Sequence, residues 1–309
     1  MKQAISIKDM SRDDWLLKRK NGIGGSDAGA ICGLNPYISP MKVYLDKTTD
    51  SIEDTDNEAM RQGRDLEEYV AERFAEETGK KVRRTSFMYV NKEYPFMFAN
   101  VDRMIAGENA GLECKTASAY SASQWENGNV PPHYIIQCNH YMAVTGADRW
   151  YLAVVILGKA FRYICLERDE NVISNLIHIE ETFWKNNVLQ GTPPEPDGSE
   201  ASEKFLKSLY DKATTGKELV LSGYDQELKR HDELVELIGR LEKEKKTIEE
   251  KIKLSMEDAE TAYTDQYIIS WKQYDQERLD SNKLKAENPD IYEHFLKKIT
   301  TRRFVIKAA

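Results

Sequence analysis

The stretch FMFANVDRMIAGENAGLECKTAS, Phe96 to Ser118, sets two acids and a lysine among residues that otherwise read as buried strand. Asp102 stands a short loop before Glu113, and Lys115 follows two residues later. Alternate side chains of a strand share a face, so Glu113 and Lys115 point one way and Cys114 points the other, toward a core. If PFMFANVD runs alongside, Asp102 near its end reaches Glu113. Buried carboxylates are costly unless paired, so something positive belongs between them. Two carboxylates and the Cys114 backbone carbonyl form an oxygen set that suits Mg²⁺ or Mn²⁺. Such an ion can activate water and neutralise charge developing on a phosphate. Lys115 would then orient or deprotonate the water, or stabilise the transition state. The plain alternative is a surface salt bridge between Glu113 and Lys115, which is what an isolated acid-x-lysine match usually is.

A chain of 309 residues has room for one large domain or two smaller ones. The net charge of −8 argues against a surface coated in basic groups, yet a local basic patch can still hold phosphates. Cys32, Cys114, Cys138 and Cys165 are scattered, which speaks against a zinc knuckle or disulfide scaffold and fits a reducing cytoplasm. MKQAISIKDMSRDDW carries acids and no apolar core, unlike a signal peptide. No stretch approaches the apolar length of a membrane span.

The spacing predicts helices over Asp13–Lys20, after NGIGGSDAGAICG, in SPMKVYLDKT and over Ala59–Thr78, with Gly79 as a stop. TDSIEDTDNEA reads as an acidic connector. KVRRTSFMYV, PFMFANVDRMI and AGLECKTA read as strands. PPHYIIQCNHYMAVTG is a helix with prolines at its start and glycine at its end. RWYLAVVILG and AFRYICLER are strands, and NVISNLIHIEETFWKNNVLQG is a helix. The order describes an α/β core, a mixed sheet flanked by helices, rather than a doubly wound nucleotide fold. The proline-rich TPPEPDGSEAS marks the boundary. The division is 1–192 for the core, 193–216 for a linker and connecting helix, and 217–309 for a long helix with a small α/β tail. In that last part Leu234, Ile238, Leu241, Lys245, Ile248, Ile252, Ser255 and Ala259 step by fours and threes, a heptad seam interrupted by lysine. YIISWKQ and RRFVIK read as strands flanking the helix SNKLKAENPDIYEHFLKKI.

Asp102, then Glu113-x-Lys115 on the next strand, resembles the pattern of the PD-(D/E)xK nucleases, with NVD where the proline–aspartate half commonly stands. Gln137 and Tyr141, i and i+4 on the following helix, resemble the subgroup containing RecB-type nucleases and phage lambda exonuclease. Glu67, on QGRDLEEYVAERF, resembles that subgroup's extra metal-site acid; the alternative is a solvated helix face, as for Glu68 and Glu72. RKNGIGGSDAGAICGLNPYISP resembles the opening motif of the YqaJ-type viral recombinase nucleases. With QGRDLEEYVA, NVDRM, LECKTAS and IIQCNHYMAVTG, the resemblance runs in order through the whole N-terminal domain.

The resemblance implies a PD-(D/E)xK restriction-endonuclease-like core and a Mg²⁺-dependent exonuclease, with Mn²⁺ as a substitute. It would digest double-stranded DNA 5′ to 3′ from an end and leave a 3′ strand for a single-strand annealing protein of phage or prophage recombination. It implies that Asp102, Glu113 and the Cys114 carbonyl bind metal with help from Glu67. Lys115 would be the catalytic lysine, Gln137 would orient it or the DNA, and Tyr141 would support Gln137. Arg19 and Ser26 match an arginine and a serine that hold the 5′ phosphate; the alternative for the glycine–serine run is a helix cap. TASAYSASQW has no basic residue where the family's model exonuclease uses a second arginine, so strict dependence on a 5′ phosphate is not implied. A homo-oligomer, possibly a trimeric ring, in the cytoplasm of a bacterial host completes the expectation. Two other readings stay open: a structure-specific or nicking endonuclease on the same fold, and a non-catalytic DNA-end-binding scaffold. His133 and His140 lack partners at metal-ligand spacing and read as packed or hydrogen-bonded histidines.

Overall fold

A computed structural model describes residues 2–49, 57–297 and 301–307. Most of the acidic connector expected after Thr49 lies outside them. The chain divides into two compact units, Met1–Tyr210 and Asp211–Ala309.

The first unit opens with β1 (Lys2–Ser6), α1 (Arg12–Lys20), α2 (Gly25–Ile31), α3 (Pro40–Thr48) and α4 (Glu58–Thr78). Ser11, Ser39 and Asn57 cap α1, α3 and α4 by accepting backbone N–H bonds, and Gly79 ends α4 in the left-handed region at φ 70°. Next come β2 (Val82–Arg84), β3 (Phe87–Asn91), β4 (Phe98–Asn100), β5 (Arg103–Ile105) and β6 (Ala110–Ala117). A 3₁₀ turn at Ala119–Trp125 leads to α5 (Pro132–Thr145), β7 (Arg149–Ile156), β8 (Ala160–Glu167) and α6 (Glu170–Thr182). Helix α6 runs on as a wider π-helical turn to Leu189. Then α7 (Glu200–Leu209), which falls in the segment expected to link the two parts, packs against α3.

The two strands expected at KVRRTSFMYV and PFMFANVDRMI are each broken. They form one long antiparallel ribbon bent in its middle. Its outer half, β3 with β4, joins β1 in a three-stranded sheet; its inner half, β2 with β5, joins a five-stranded sheet of order β2-β5-β6-β7-β8. Asp102 lies at the bend, between the end of β4 and the start of β5. Strand β1, KQAIS, is too short and polar to carry a strand signal in the sequence.

Strand β6 pairs parallel with β7, from Ala110 opposite Arg149 to Ala117 opposite Ile156, and α5 makes the crossover. Side chains alternate between two cores. Leu112 and Cys114 of β6, with Tyr151 and Ala153 of β7, pack with Val70, Ala71 and Phe74 of α4. Trp150, Leu152, Val154 and Ile156 pack with Cys138, Tyr141 and Met142 of α5. The sheet is therefore sandwiched, and Glu113 and Lys115 project toward the α5 side by the parity of the strand.

In the second unit α8 (Asp225–Met256) is one long helix, followed by the hairpin β9 (Thr261–Tyr263) and β10 (Ile268–Ser270) and by short helices α9 (Ser281–Glu287) and α10 (Pro289–Phe295). The heptad seam outlasts the helix: Ala259 lies beyond its end at Met256. The helix expected over SNKLKAENPDIYEHFLKKI is interrupted at Asn288–Pro289, where proline withdraws an N–H and disfavours helical backbone before it. RRFVIK forms no strand among the described residues.

Candidate active site

The strand geometry gathers five of the expected residues. Glu113 is 3% exposed. Its Oε1 accepts from Lys115 Nζ at 2.5 Å and from Gln137 Nε2 at 2.7 Å. Gln137 Nε2 also lies 2.8 Å from the Tyr141 hydroxyl. Asp102 Oδ2 accepts the backbone N–H of Cys114 at 2.8 Å, which draws the bend of the ribbon onto β6. The Cys114 peptide thus lies between the two acids, while its thiol packs on the α4 side with a pKa raised by burial.

The electrostatics of this cluster are unbalanced. Burial, and after it the Glu113 carboxylate, push the Asp102 carboxyl well above the usual range. Burial opposes the Lys115 ammonium, but Glu113, Tyr134 and Asp102 outweigh it and raise its pKa. Glu113 Oε2 is buried and has no hydrogen-bond partner. A buried carboxylate oxygen without a partner, near enough to a second acid to raise its pKa, is chemistry that a hard cation would suit. Among the described residues no three side chains of His, Cys, Asp or Glu converge as a metal cage. The fitting donor set is therefore two carboxylates, a backbone carbonyl and water, the kind of set Mg²⁺ accepts.

Glu67 stands beside this cluster but is engaged elsewhere. Arg103, buried and adjacent to Asp102, donates to Glu67, to Glu68 Oε2 at 2.7 Å and to the Asp102 carbonyl at 2.7 Å. The Glu67 charge still reaches Asp102 and contributes to raising its pKa. Glu68, expected to be merely solvated, shares the arginine.

The N-terminal motif meets the cluster through helix packing. A Cβ at Gly25 would lie 2.6 Å from Tyr141 Cε1 and 2.9 Å from Gln137 Cγ. Only glycine lets α2 seat this closely on the Gln137–Tyr141 face of α5. One residue on, Ser26 Oγ lies 3.4 Å from Arg19 Nη2. Arg19 also stands 3.8 Å from Asp27, and its guanidinium carbon lies 4.9 Å from the centre of the Trp15 ring. Burial works to raise the Asp27 pKa, but Lys47, 2.8 Å away, and Arg19 hold it below the ordinary value. Asp27 and Lys47 did not stand out in the sequence, because an acid in a helix's first turn and a lysine in another's last turn are ordinary.

Of the two histidines singled out in the sequence, His140 is a hydrogen-bonded core residue. His140 is fully buried; its Nδ1 lies 2.8 Å from Glu180 Oε1 and its Nε2 2.8 Å from the Phe98 carbonyl. A carbonyl only accepts, so Nε2 carries a proton. Burial opposes the imidazolium, but Glu180 and the Phe98 carbonyl hold its pKa above the ordinary value. Burial, then Lys115, lower His133 to about 4, so it is neutral at physiological pH. All four cysteines are free thiols.

A mixed sheet between helices, with an acid at a ribbon bend and an acid-x-lysine strand facing a glutamine, is the architecture expected of the PD-(D/E)xK-like fold. A family model described as the YqaJ-like viral recombinase domain matches residues 14–148. The Bacillus subtilis (strain 168) protein YqaJ is 41% identical over 303 residues, 97% of this chain and 95% of that one. The chain belongs to the YqaJ-like viral recombinase family. Among solved structures, the alkaline exonuclease LHK-Exo from Laribacter hongkongensis superimposes with a TM-score of 0.50 at 18% identity, covering 65% of this chain and all of that one. LHK-Exo in complex with dAMP matches equally, at 0.50 and 19%, covering 64% and 97%. At these identities the likeness establishes the shared fold.

Proposed function

We propose that the protein is a Mg²⁺-dependent exonuclease that degrades double-stranded DNA from an end, 5′ to 3′, and leaves a 3′ single strand for an annealing protein. The observation that carries this reading is the buried, unpartnered Glu113 Oε2, in a cluster with Asp102 and Lys115. Asp102, Glu113 and the Cys114 carbonyl would hold the ion, and Mn²⁺ would replace it. When bound, it supplies Lewis-acid activation of water and neutralises charge on the scissile phosphate. Lys115 orients the attacking water and stabilises the charge that develops at phosphorus. Gln137 fixes the Glu113 carboxylate, and Tyr141 fixes Gln137. Arg19 and Ser26 bind the terminal phosphate, a guanidinium fork with a hydroxyl. No basic residue follows in TASAYSASQW, so a strict preference for a 5′-phosphorylated end is not part of this reading. The likeness to LHK-Exo, an alkaline exonuclease, and membership of the recombinase family support the same reading. Assembly as a homo-oligomer, a trimeric ring in particular, and a place in the bacterial cytoplasm belong to this proposal. Among the described residues no helix is long and apolar enough to cross a membrane.

The test uses linear duplex labelled at either end and covalently closed circles, with and without Mg²⁺, beside Lys115→Ala. Metal-dependent loss of linear DNA alone, early release of the 5′ label and a silent Lys115→Ala are expected. Cutting of closed circles would replace the reading with an endonuclease. DNA binding without cleavage would replace it with a scaffold.

A further inference from the structure

We infer that Tyr134 is a positioning residue for Lys115, its ring face holding the ammonium against Glu113; this deepens the proposed nuclease reading and rests on it. Tyr134, Gln137 and Tyr141 stand at i, i+3 and i+7 and so form one stripe along α5. All three serve the same strand. Gln137 bonds Glu113, Tyr141 bonds Gln137, and Lys115 Nζ lies 4.7 Å from the centre of the Tyr134 ring.

A lysine head is a point charge on a flexible four-carbon stem, with three donors to satisfy. Among the described residues it donates one hydrogen bond, to Glu113 Oε1, an atom already shared with Gln137. That bond alone leaves the ammonium free to swing about the carboxylate. The ring supplies the opposing wall. It attracts the cation through its negative face and adds no carboxylate that would repel a phosphodiester. The wall is itself braced: Trp125, buried, stacks on Tyr134 at 5.6 Å and 27° between planes, and His133 lies 4.0 Å away on the same turn. The 3₁₀ turn after β6 thus carries Trp125 back to support the ring that covers β6's own lysine.

The full-length protein is labelled with ¹³C at lysine Cε. One ε-CH₂ resonance should be displaced upfield by the ring, vanish in Lys115→Arg, persist in Tyr134→Phe and return to the bulk lysine position in Tyr134→Leu. On linear duplex with Mg²⁺, Tyr134→Leu should lower kcat roughly ten- to thirtyfold with KM held within about twofold, and Tyr134→Phe should stay within about threefold of the parent. A Phe variant as damaged as the Leu variant, or a Leu variant with unchanged kcat, overturns the inference. So does a loss expressed in KM together with a lowered Tm, the mark of a packing role. If the parent cleaves no DNA, the nuclease reading fails, while the presence or absence of the displaced resonance still decides the lysine–ring contact.

Discussion

On the proposed function, Asp102 is the residue at which stability and activity oppose each other. Its carboxyl is buried, faces Glu113 and has a raised pKa. An acid with a folded pKa above its unfolded value binds its proton more tightly when folded. Metal-free stability should therefore fall as the pH rises from about 4 through the raised value. Asp102→Asn keeps an oxygen for the Cys114 N–H and removes the charge. It should raise metal-free stability by roughly 1–3 kcal/mol and flatten that pH dependence, and on the proposed function Mg²⁺ should raise the Tm of the parent but not of this variant. The same variant should lower kcat by more than about a hundredfold. Denaturation across pH, with and without Mg²⁺, reads the stability side. The acids and lysine were legible because period-two alternation places Glu113 and Lys115 on one face whatever their neighbours do. Tyr134 was not, because an aromatic residue at helical spacing reads as core until the lysine beneath it is seen. The Arg103 grip on Glu67 was equally hidden, since it joins residues from two elements far apart in sequence.

At the scale of elements, α5 holds the site together, and two of its contacts make separate predictions. Gly25→Ala places a methyl group against the Tyr141 ring. It should cost about 1–3 kcal/mol, the usual range for overpacking, and weaken cleavage by displacing Gln137; urea unfolding and kcat together check both. On the far side, His140→Phe leaves Glu180 buried without its partner and should destabilise by about 3–5 kcal/mol. Because the His140 pKa is raised, its contribution is fully present below about pH 6.5 and is lost as the pH rises through the folded value. The parent should lose stability across that alkaline window, whereas His140→Phe, which strips Glu180 of the partner that holds its raised pKa down, should already lose stability as the pH climbs from about 4.5. Helices with caps and glycine stops were readable because their signals are local. The bend in the β2–β5 ribbon was not, because it follows from which sheet each half joins, and β1 is a short polar strand whose partner lies over eighty residues away. RRFVIK has strand composition but no pairing partner among the described residues, and composition alone does not make a ladder.

At the scale of the molecule, every residue assigned to the site lies within Met1–Tyr210. A chain ending at Tyr210 should fold cooperatively and, on the proposed function, cleave linear duplex with Mg²⁺ as the full chain does, measured by a thermal melt and by the end-labelled assay. Loss of both would show that the second unit is required for the fold.

The seating of α2 on α5 has a metrical meaning. Glycine at position 25 lets the two helices lock at one separation, which sets the span from Ser26 to Glu113. On the proposed function, that span is a ruler between the grip on a DNA terminus and the bond to be cut. Its length, rather than any recognition of bases, would decide how many nucleotides leave with each turnover.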